Sequence, residues 1–306
     1  MKVKFTNFWP SFDPKESFFY SALAKTSPSV EIVTGKAIAD LEIVSVFEKR
    51  SKAISKKISR LITTGSKPHS DVALANTTSS LPKRSSEKRI WYTGENIRVP
   101  FGQDFDHSLS YEQDSYNGTN SYFPLWYSDL NFFSDSKFSN RAGVFIAKDD
   151  LLNPRVLNKS TRKLACAFVG NSHPMRGRLV EELGKIGIVD VYGRAVGKPV
   201  KYKADIANEY QFMVCLENDL YPGYVTEKFL EAYVSGCIPI YWGDFGADIS
   251  VNRSSLINIA DFATLDEAIG HISKTMNAKE FKEMFEQPLL MQQPNLQNVL
   301  TQFGYN

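Results

Sequence analysis

The sequence predicts an α/β protein built on a doubly wound parallel sheet, in a chain long enough for two domains. Three observations carry this. Short apolar strands alternate with amphipathic helices from residue 163 to residue 287, the pattern of successive strand–helix–strand units. The chain has 306 residues, against about 100–200 for one ordinary domain. Apolar residues make up 42% and charged residues 23%, the balance of a globular protein with a sizeable core.

Taken in order, VKFTNF (3–8) alternates as a strand does, and DPKESFFYSALAKT (13–26) places Phe18, Ala22 and Leu23 on one helix face. VEIV (30–33) and LEIVSVF (41–47) read as further strands. Residues 49–89 then hold seven lysines and four arginines against Asp71 and Glu87, a charge of +9. The whole chain is only +2, so the remainder is −7. Ile54, Ile58, Leu61 and Ile62 recur at helical spacing, so 49–62 is expected to form a basic amphipathic helix. Residues 65–86 are rich in Ser and Thr and are expected to form a loop within an insert over 49–88. The basic helix is either a solvated surface or a peripheral contact with an anionic membrane through 49–62. Nucleic acid is not an expected partner, because the net charge is small and no aromatic residues interleave the basic ones.

RIWYTGEN (89–96) resumes as a strand with a tight turn, and FDHSL (105–109) as a short strand. YFPLWYSDLNFF (122–133) is aromatic-rich; its rings either fill core or line a sugar site, as could those of Trp9 and Trp91. The polar stretch 148–163 suggests a domain boundary near 155/156. Beyond it, strands are expected at 163–171, 189–193, 210–218, 237–243 and 255–262, with helices at 175–187, 225–236, 265–276 and 278–287.

No apolar run reaches bilayer length, and MKVKFTNFWPSFDPKES lacks the apolar stretch of a secretory signal. The expectation is a cytoplasmic chain, peripheral to the inner face of the membrane if the basic helix binds there. Cys166, Cys215 and Cys237 sit in apolar surroundings without metal-ligand spacing and are expected to be buried hydrophobes.

In doubly wound sheets ligands bind beyond the carboxyl ends of the strands. VGNSHPMR (169–176), CLENDLYPGYVTEK (215–228) and YWGD (241–244) should all reach that edge. This would bring Arg176 and Lys228 together near helix starts, where cations are unfavourable unless an anion joins them. A diphosphate is such an anion: arginine grips its oxygens in pairs and lysine adds a point charge. Glu227 would then face hydroxyls, such as those of a ribose. The competing reading pairs Lys228 with a neighbouring carboxylate such as Glu231. Neither GxxxxGK[ST] nor GxGxxG occurs, so a P-loop nucleotidase or dinucleotide oxidoreductase is not indicated. Glu95, in a turn at a strand end, is either a general base or a solvated surface carboxylate. The DFD at 104–106 has the form of a metal-binding DxD, but no acidic or His cluster accompanies it and His69, His107, His173 and His271 are scattered; no metal site is expected.

The stretch LENDLYPGYVTEKFLEAYVSGCIPIYWGD (216–244) closely resembles the signature of the α1,3/4-fucosyltransferase family, above all its bacterial members. WYTGENIR (91–98), VKFTNFWPSFDP (3–14) and AFVGNSHPMRGRLVEEL (167–183) are similar to its other segments; the insert over 49–88 is a departure from it. The resemblance implies a GT-B architecture, two Rossmann-like domains facing a cleft, with 1–155 binding the acceptor and 156–306 binding GDP-fucose. It implies inverting transfer of fucose to the 3-hydroxyl of GlcNAc or glucose in N-acetyllactosamine- or lactose-type acceptors. Glu95 would be the catalytic base. Arg176, Asn218, Tyr224, Glu227 and Lys228 would hold the donor, with Asn171, Glu217 and Trp126 as further donor or acceptor contacts. No metal or other cofactor is then required, although a divalent cation could stimulate. A transferase using another nucleotide sugar, or an inactive glycan- or nucleotide-binding module, are the alternatives.

Overall fold

The computed structural model describes residues 1–47, 81–130, 132–133, 138–139, 143–158, 162–170 and 174–305. The expected basic helix at 49–62, most of the loop at 65–86, and Asn171 and His173 lie outside the described residues. Two compact units emerge: Met1–Leu125 with Leu296–Asn306, and Trp126–Asn295.

The first unit is a six-stranded sheet. It comprises β1 (Lys2–Thr6), β2 (Glu31–Val33), β3 (Ala39–Val44), β4 (Ser86–Tyr92), β5 (His107–Ser110) and β6 (Asn120–Tyr122), in the order β2-β1-β3-β4-β5-β6, all parallel. Helix α1 (Phe18–Thr26) starts where Ser17 accepts a hydrogen bond from the Tyr20 amide at 3.2 Å, an N-cap that satisfies one orphan donor. It buries Phe18, Phe19, Ala22 and Leu23, the face expected from the spacing. Phe19 and Tyr92 meet edge to face with centroids 4.9 Å apart, an arrangement favoured by the ring quadrupoles. Across β3 and β4, Glu42 and Arg89 are direct neighbours, both buried, and the carboxylate accepts from Arg89 Nε at 2.9 Å and Thr6 Oγ1 at 2.6 Å.

The second unit carries the site. A two-stranded antiparallel piece, β7 (Phe138–Ser139) and β8 (Phe145–Ile146), precedes its main sheet. That sheet comprises β9 (Lys163–Phe168), β10 (Val189–Tyr192), β11 (Tyr210–Leu216), β12 (Ile238–Trp242) and β13 (Ile257–Asn258), in the order β10-β9-β11-β12-β13, again all parallel. The connecting helices are α2 (Pro174–Gly184), α3 (Ala204–Ala207), α4 (Lys228–Val234), α5 (Leu265–Thr275) and α6 (Ala278–Phe285). The apolar faces of α2, α5 and α6 share one core with the sheet, including Leu179, Leu183, Phe212, Val214, Ile238, Ile240, Ile272, Phe281 and Phe285. The three cysteines are free and buried, as their surroundings imply.

The expected boundary at 155/156 needs correction. Residues 126–155 belong to the second unit because Trp126 packs edge to face on Phe229 at 5.5 Å and the Leu290 amide donates to Leu151 O at 2.9 Å. The chain end returns to the first unit through α7 (Gln297–Thr301), a helix the sequence reading did not anticipate. There Ser121 donates to Asn298 O at 3.2 Å and Lys88 to Gln302 O at 2.8 Å. Among the described residues no helix is long and apolar enough to cross a membrane.

Candidate donor site at the end of β11

Because β9, β11 and β12 are parallel neighbours, their carboxyl ends lie along one sheet edge. The chain leaves β11 at Leu216, runs through 217–227 and enters α4 at Lys228. Two clamps tie this loop to the exit of β12: the Glu217 amide donates to Trp242 O at 2.9 Å, and the Gly223 amide to Asp244 O at 2.8 Å.

Arg176, in the first turn of α2, donates to Leu216 O at 3.4 Å. Burial lowers the Arg176 guanidinium from its ordinary value, and the nearby Cys215 and Glu217 groups oppose that shift. Lys228 donates to Glu217 Oε2 at 2.8 Å, with Asn218 Oδ1 3.5 Å away. The two cations expected to share a ligand thus reach consecutive residues at the tip of one strand.

The competing partner for Lys228 is corrected by the structure. Glu231 is buried and pairs with Lys203, while Lys228 pairs with Glu217. The helix is also shorter than expected, seven residues starting at Lys228 with Glu227 at its N-cap position. With fewer aligned peptide dipoles and an ion pair on the lysine, the penalty inferred from the sequence shrinks.

Glu217 is the feature that sequence reasoning placed but did not understand. Its side chain is 0% exposed. Oε1 accepts from the Thr226 amide at 2.8 Å and the Tyr241 hydroxyl at 3.0 Å; Oε2 accepts from Lys228; the Thr226 hydroxyl lies 3.0 and 2.8 Å from the two oxygens. An isolated buried carboxylate costs several kcal/mol, and this set of donors offsets that cost. Burial and the Glu217 charge both push the Tyr241 hydroxyl well above its ordinary value, so it stays a donor. Gly243 makes the approach possible: a Cβ there would lie 2.4 Å from the Tyr241 hydroxyl oxygen.

The other expected contacts are placed as follows. Asn218 is exposed, Glu227 and Lys228 are half-buried, and Tyr224 is buried. Glu217 and Trp126 are both sealed from solvent, so neither presents surface to a ligand in this structure. Trp91 and Tyr127 are core as well. In the first unit, exposed Glu95 follows β4 in a turn closed by Thr93, whose hydroxyl lies 3.0 Å from Glu95 O and 2.8 Å from Ile97 O. Gly94 lets the turn pack closely, since a Cβ there would lie 2.7 Å from the Phe47 ring and force it to shift. The DFD carboxylates are occupied by cations: Asp104 pairs with Arg84 and Arg89, and Asp106 with Arg84. Burial alone would raise the Asp106 carboxyl; hydrogen bonds from Arg84 and the Arg89 amide outweigh it and hold it low. Among the described residues no group of three or more His, Cys, Asp or Glu could hold a metal ion.

Residues 158–287 match glycosyltransferase family 10 (fucosyltransferase) C-term. Over 249 residues the chain is 30% identical to an α-(1,3)-fucosyltransferase of Helicobacter pylori, covering 72% of this chain and 52% of that protein. Residues 158–287 therefore carry the C-terminal domain of the family 10 fucosyltransferases. The chain is also 30% identical over 142 residues to α-(1,3)-fucosyltransferase B of Drosophila melanogaster, covering 40% of this chain and 32% of the relative. The chain therefore spans about half the length of the Helicobacter relative and less of the fly one. Its fold matches a crystal structure of an α1,3-fucosyltransferase with GDP-fucose at TM-score 0.68 and 23% identity, over 99% of this chain and 88% of the other. The same enzyme type with GDP gives 0.67 and 22%, over 99% and 87%. The fold class is thus the expected α/β one, with two Rossmann-like parallel-sheet units of the GT-B kind. The matched segment 158–287 contains Arg176, the 216–244 signature and the whole Glu217 cluster. Thr226, Tyr241 and Gly243 were missed as a unit; their only sequence signal was membership of that signature.

Proposed function

We propose that this chain transfers L-fucose from GDP-fucose, with inversion, to the 3-hydroxyl of GlcNAc or glucose in an N-acetyllactosamine- or lactose-type acceptor. The observation that carries the reading is the arrival of Arg176 and Lys228 at consecutive residues, Leu216 and Glu217, at the end of β11. Two cations at that edge suit the diphosphate of an activated sugar. Asn218 and Glu227 flank them and would take donor hydroxyls, while buried Tyr224 would support the loop that carries them. Glu95 would remove the proton from the acceptor hydroxyl. As the new C1–O bond forms, the bond from C1 to the β-phosphate oxygen breaks and GDP leaves. Arg176 and Lys228 would balance the charge that grows on the departing diphosphate.

No cofactor enters this reading. The guanidinium and ammonium supply the charge stabilisation that a divalent cation supplies elsewhere, so a metal would at most stimulate. We place the chain in the cytoplasm, in peripheral contact with anionic membrane through basic residues 49–62; co-sedimentation with phosphatidylserine vesicles, lost when those lysines and arginines are replaced, would test it.

The deciding experiment incubates the protein with GDP-fucose, GDP-mannose or UDP-galactose and a panel of lactose and N-acetyllactosamine acceptors, followed by linkage analysis. An α1,3-fucosylated product is expected. Turnover with a uridine donor alone, or none with any donor, would refute the reading.

A further inference from the structure

The Glu217 carboxylate has no access to a ligand, yet every group that holds it belongs to the donor edge. We propose that Glu217 is a positioning residue for Lys228, aiming its ammonium before the nucleotide arrives; this rests on the reading of Arg176 and Lys228 as diphosphate ligands. Lysine is a flexible four-carbon stem ending in a strongly hydrated point charge, and it normally loses much rotamer freedom on binding phosphate. Here that freedom is lost in the fold. Lys228 Nζ sits 2.8 Å from Glu217 Oε2, and its side chain is 21% exposed. An ammonium has three N–H donors. One goes to Glu217 and a second faces Asn218 Oδ1 at 3.5 Å. Among the described residues no further acceptor meets the ammonium, so the third is left for an incoming oxygen.

Glu217 itself cannot turn away. The Thr226 amide, one residue before Glu227, and the Tyr241 hydroxyl fix Oε1, so Oε2 must point at Lys228. The same Thr226 contacts fix the turn into α4. One buried carboxylate therefore sets both the lysine and the entry of the helix that bears it. Glutamine at this position separates the two roles. Its carbonyl can replace Oε1 and keep the Thr226 and Tyr241 donors, but its amide then meets the ammonium donor to donor and expels it.

The test compares Glu217→Gln, Lys228→Met and the double variant, with GDP affinity read by titration calorimetry and folding by thermal melting. Each single change is expected to weaken GDP by about tenfold. In the Lys228→Met background, Glu217→Gln should add less than about twofold, because the partner it acts through is gone. Independent effects that multiply to about a hundredfold would overturn the proposal. Acetylation of Lys228 by acetic anhydride, followed by mass spectrometry, needs no nucleotide. Glu217→Gln should speed it at least about threefold as the ammonium moves into solvent, and an unchanged rate would overturn the role. Absent GDP binding in the wild type would refute the donor reading instead, while the acetylation result still decides the Glu217–Lys228 link. Should Glu217→Gln fail to fold, the wild-type crystal structure with GDP decides. Lys228 is expected to bridge Glu217 and a phosphate oxygen; a lysine that abandons Glu217 to reach the phosphate would overturn the proposal.

Discussion

Glu95, Lys228 and Gly243 show three ways in which a single residue can be legible. Glu95 stands out by its motif, and the role proposed for it, general base, is chemical. Glu95→Gln is expected to lower kcat by about 10²–10⁴-fold, the usual contribution of a general base, with GDP affinity unchanged. Near-normal turnover would remove Glu95 from the mechanism. Lys228 stands out as a cation at a helix start, but its partner lies eleven residues upstream. No helical spacing could have named that partner, because the pairing depends on how the 217–227 loop folds back. Gly243 does not stand out at all. Its lack of a side chain matters only because the Tyr241 hydroxyl turns back toward Glu217 beside it. Gly243→Ala should destabilise the fold by about 1–3 kcal/mol through overpacking and weaken GDP binding at the same time. Chemical denaturation and calorimetry would check the two effects, and a neutral outcome in both would contradict the packing.

Among the elements, strands were read best, since β3, β4, β9, β11 and β12 each show an apolar run with clear flanks. Helix α4 was read two to three residues too long at each end. At its start the Thr226 amide is held by the Glu217 carboxylate, and the helix begins two residues later. At its end two arginines take over the carbonyls. Arg155 donates to Tyr233 O, Cys237 O at 2.8 Å and Phe285 O at 2.7 Å, with its guanidinium carbon 3.8 Å from the centroid of the Tyr233 ring and 3.9 Å from that of Phe285. Arg162 donates to Gly236 O. Burial pulls the Arg155 guanidinium down to about 10, so it remains charged at neutral pH. These side chains come from the polar stretch that the sequence reading used as a domain boundary. Arg155→Met should cost about 3 kcal/mol, because buried carbonyls lose their donors, and urea unfolding would measure it. A loss below about 0.5 kcal/mol, typical of an exposed surface change, would deny Arg155 this capping role.

For the whole molecule, the return of the last residues to the first unit was the feature least visible in the sequence. QNVLT carries too little apolar periodicity to announce α7, which is held by backbone carbonyls meeting Ser121 and Lys88. His107 lies beneath this contact, with Nε2 2.9 Å from Ser121 Oγ. Burial, aided by the Lys88 charge, lowers His107 to about 4. The unfolded chain therefore takes up this proton first as pH falls. Stability from His107 is present above about pH 6.5, is lost between there and about 4, and is level below that. Over that window wild type should lose stability relative to His107→Gln by at most about 1.4 kcal/mol per pH unit. A pH-independent difference would mean that His107 titrates alike folded and unfolded. If the proposed side-chain cations act on the leaving group, activity should survive EDTA to within about twofold; abolition by EDTA would show that they do not suffice. The most direct test of that grip is the ratio of GDP to guanosine affinity, measured by calorimetry on wild type, Arg176→Ala and Lys228→Ala. A wild-type preference for GDP of about a hundredfold should fall by about tenfold in each variant, whereas a ratio that neither substitution changes would place the diphosphate elsewhere.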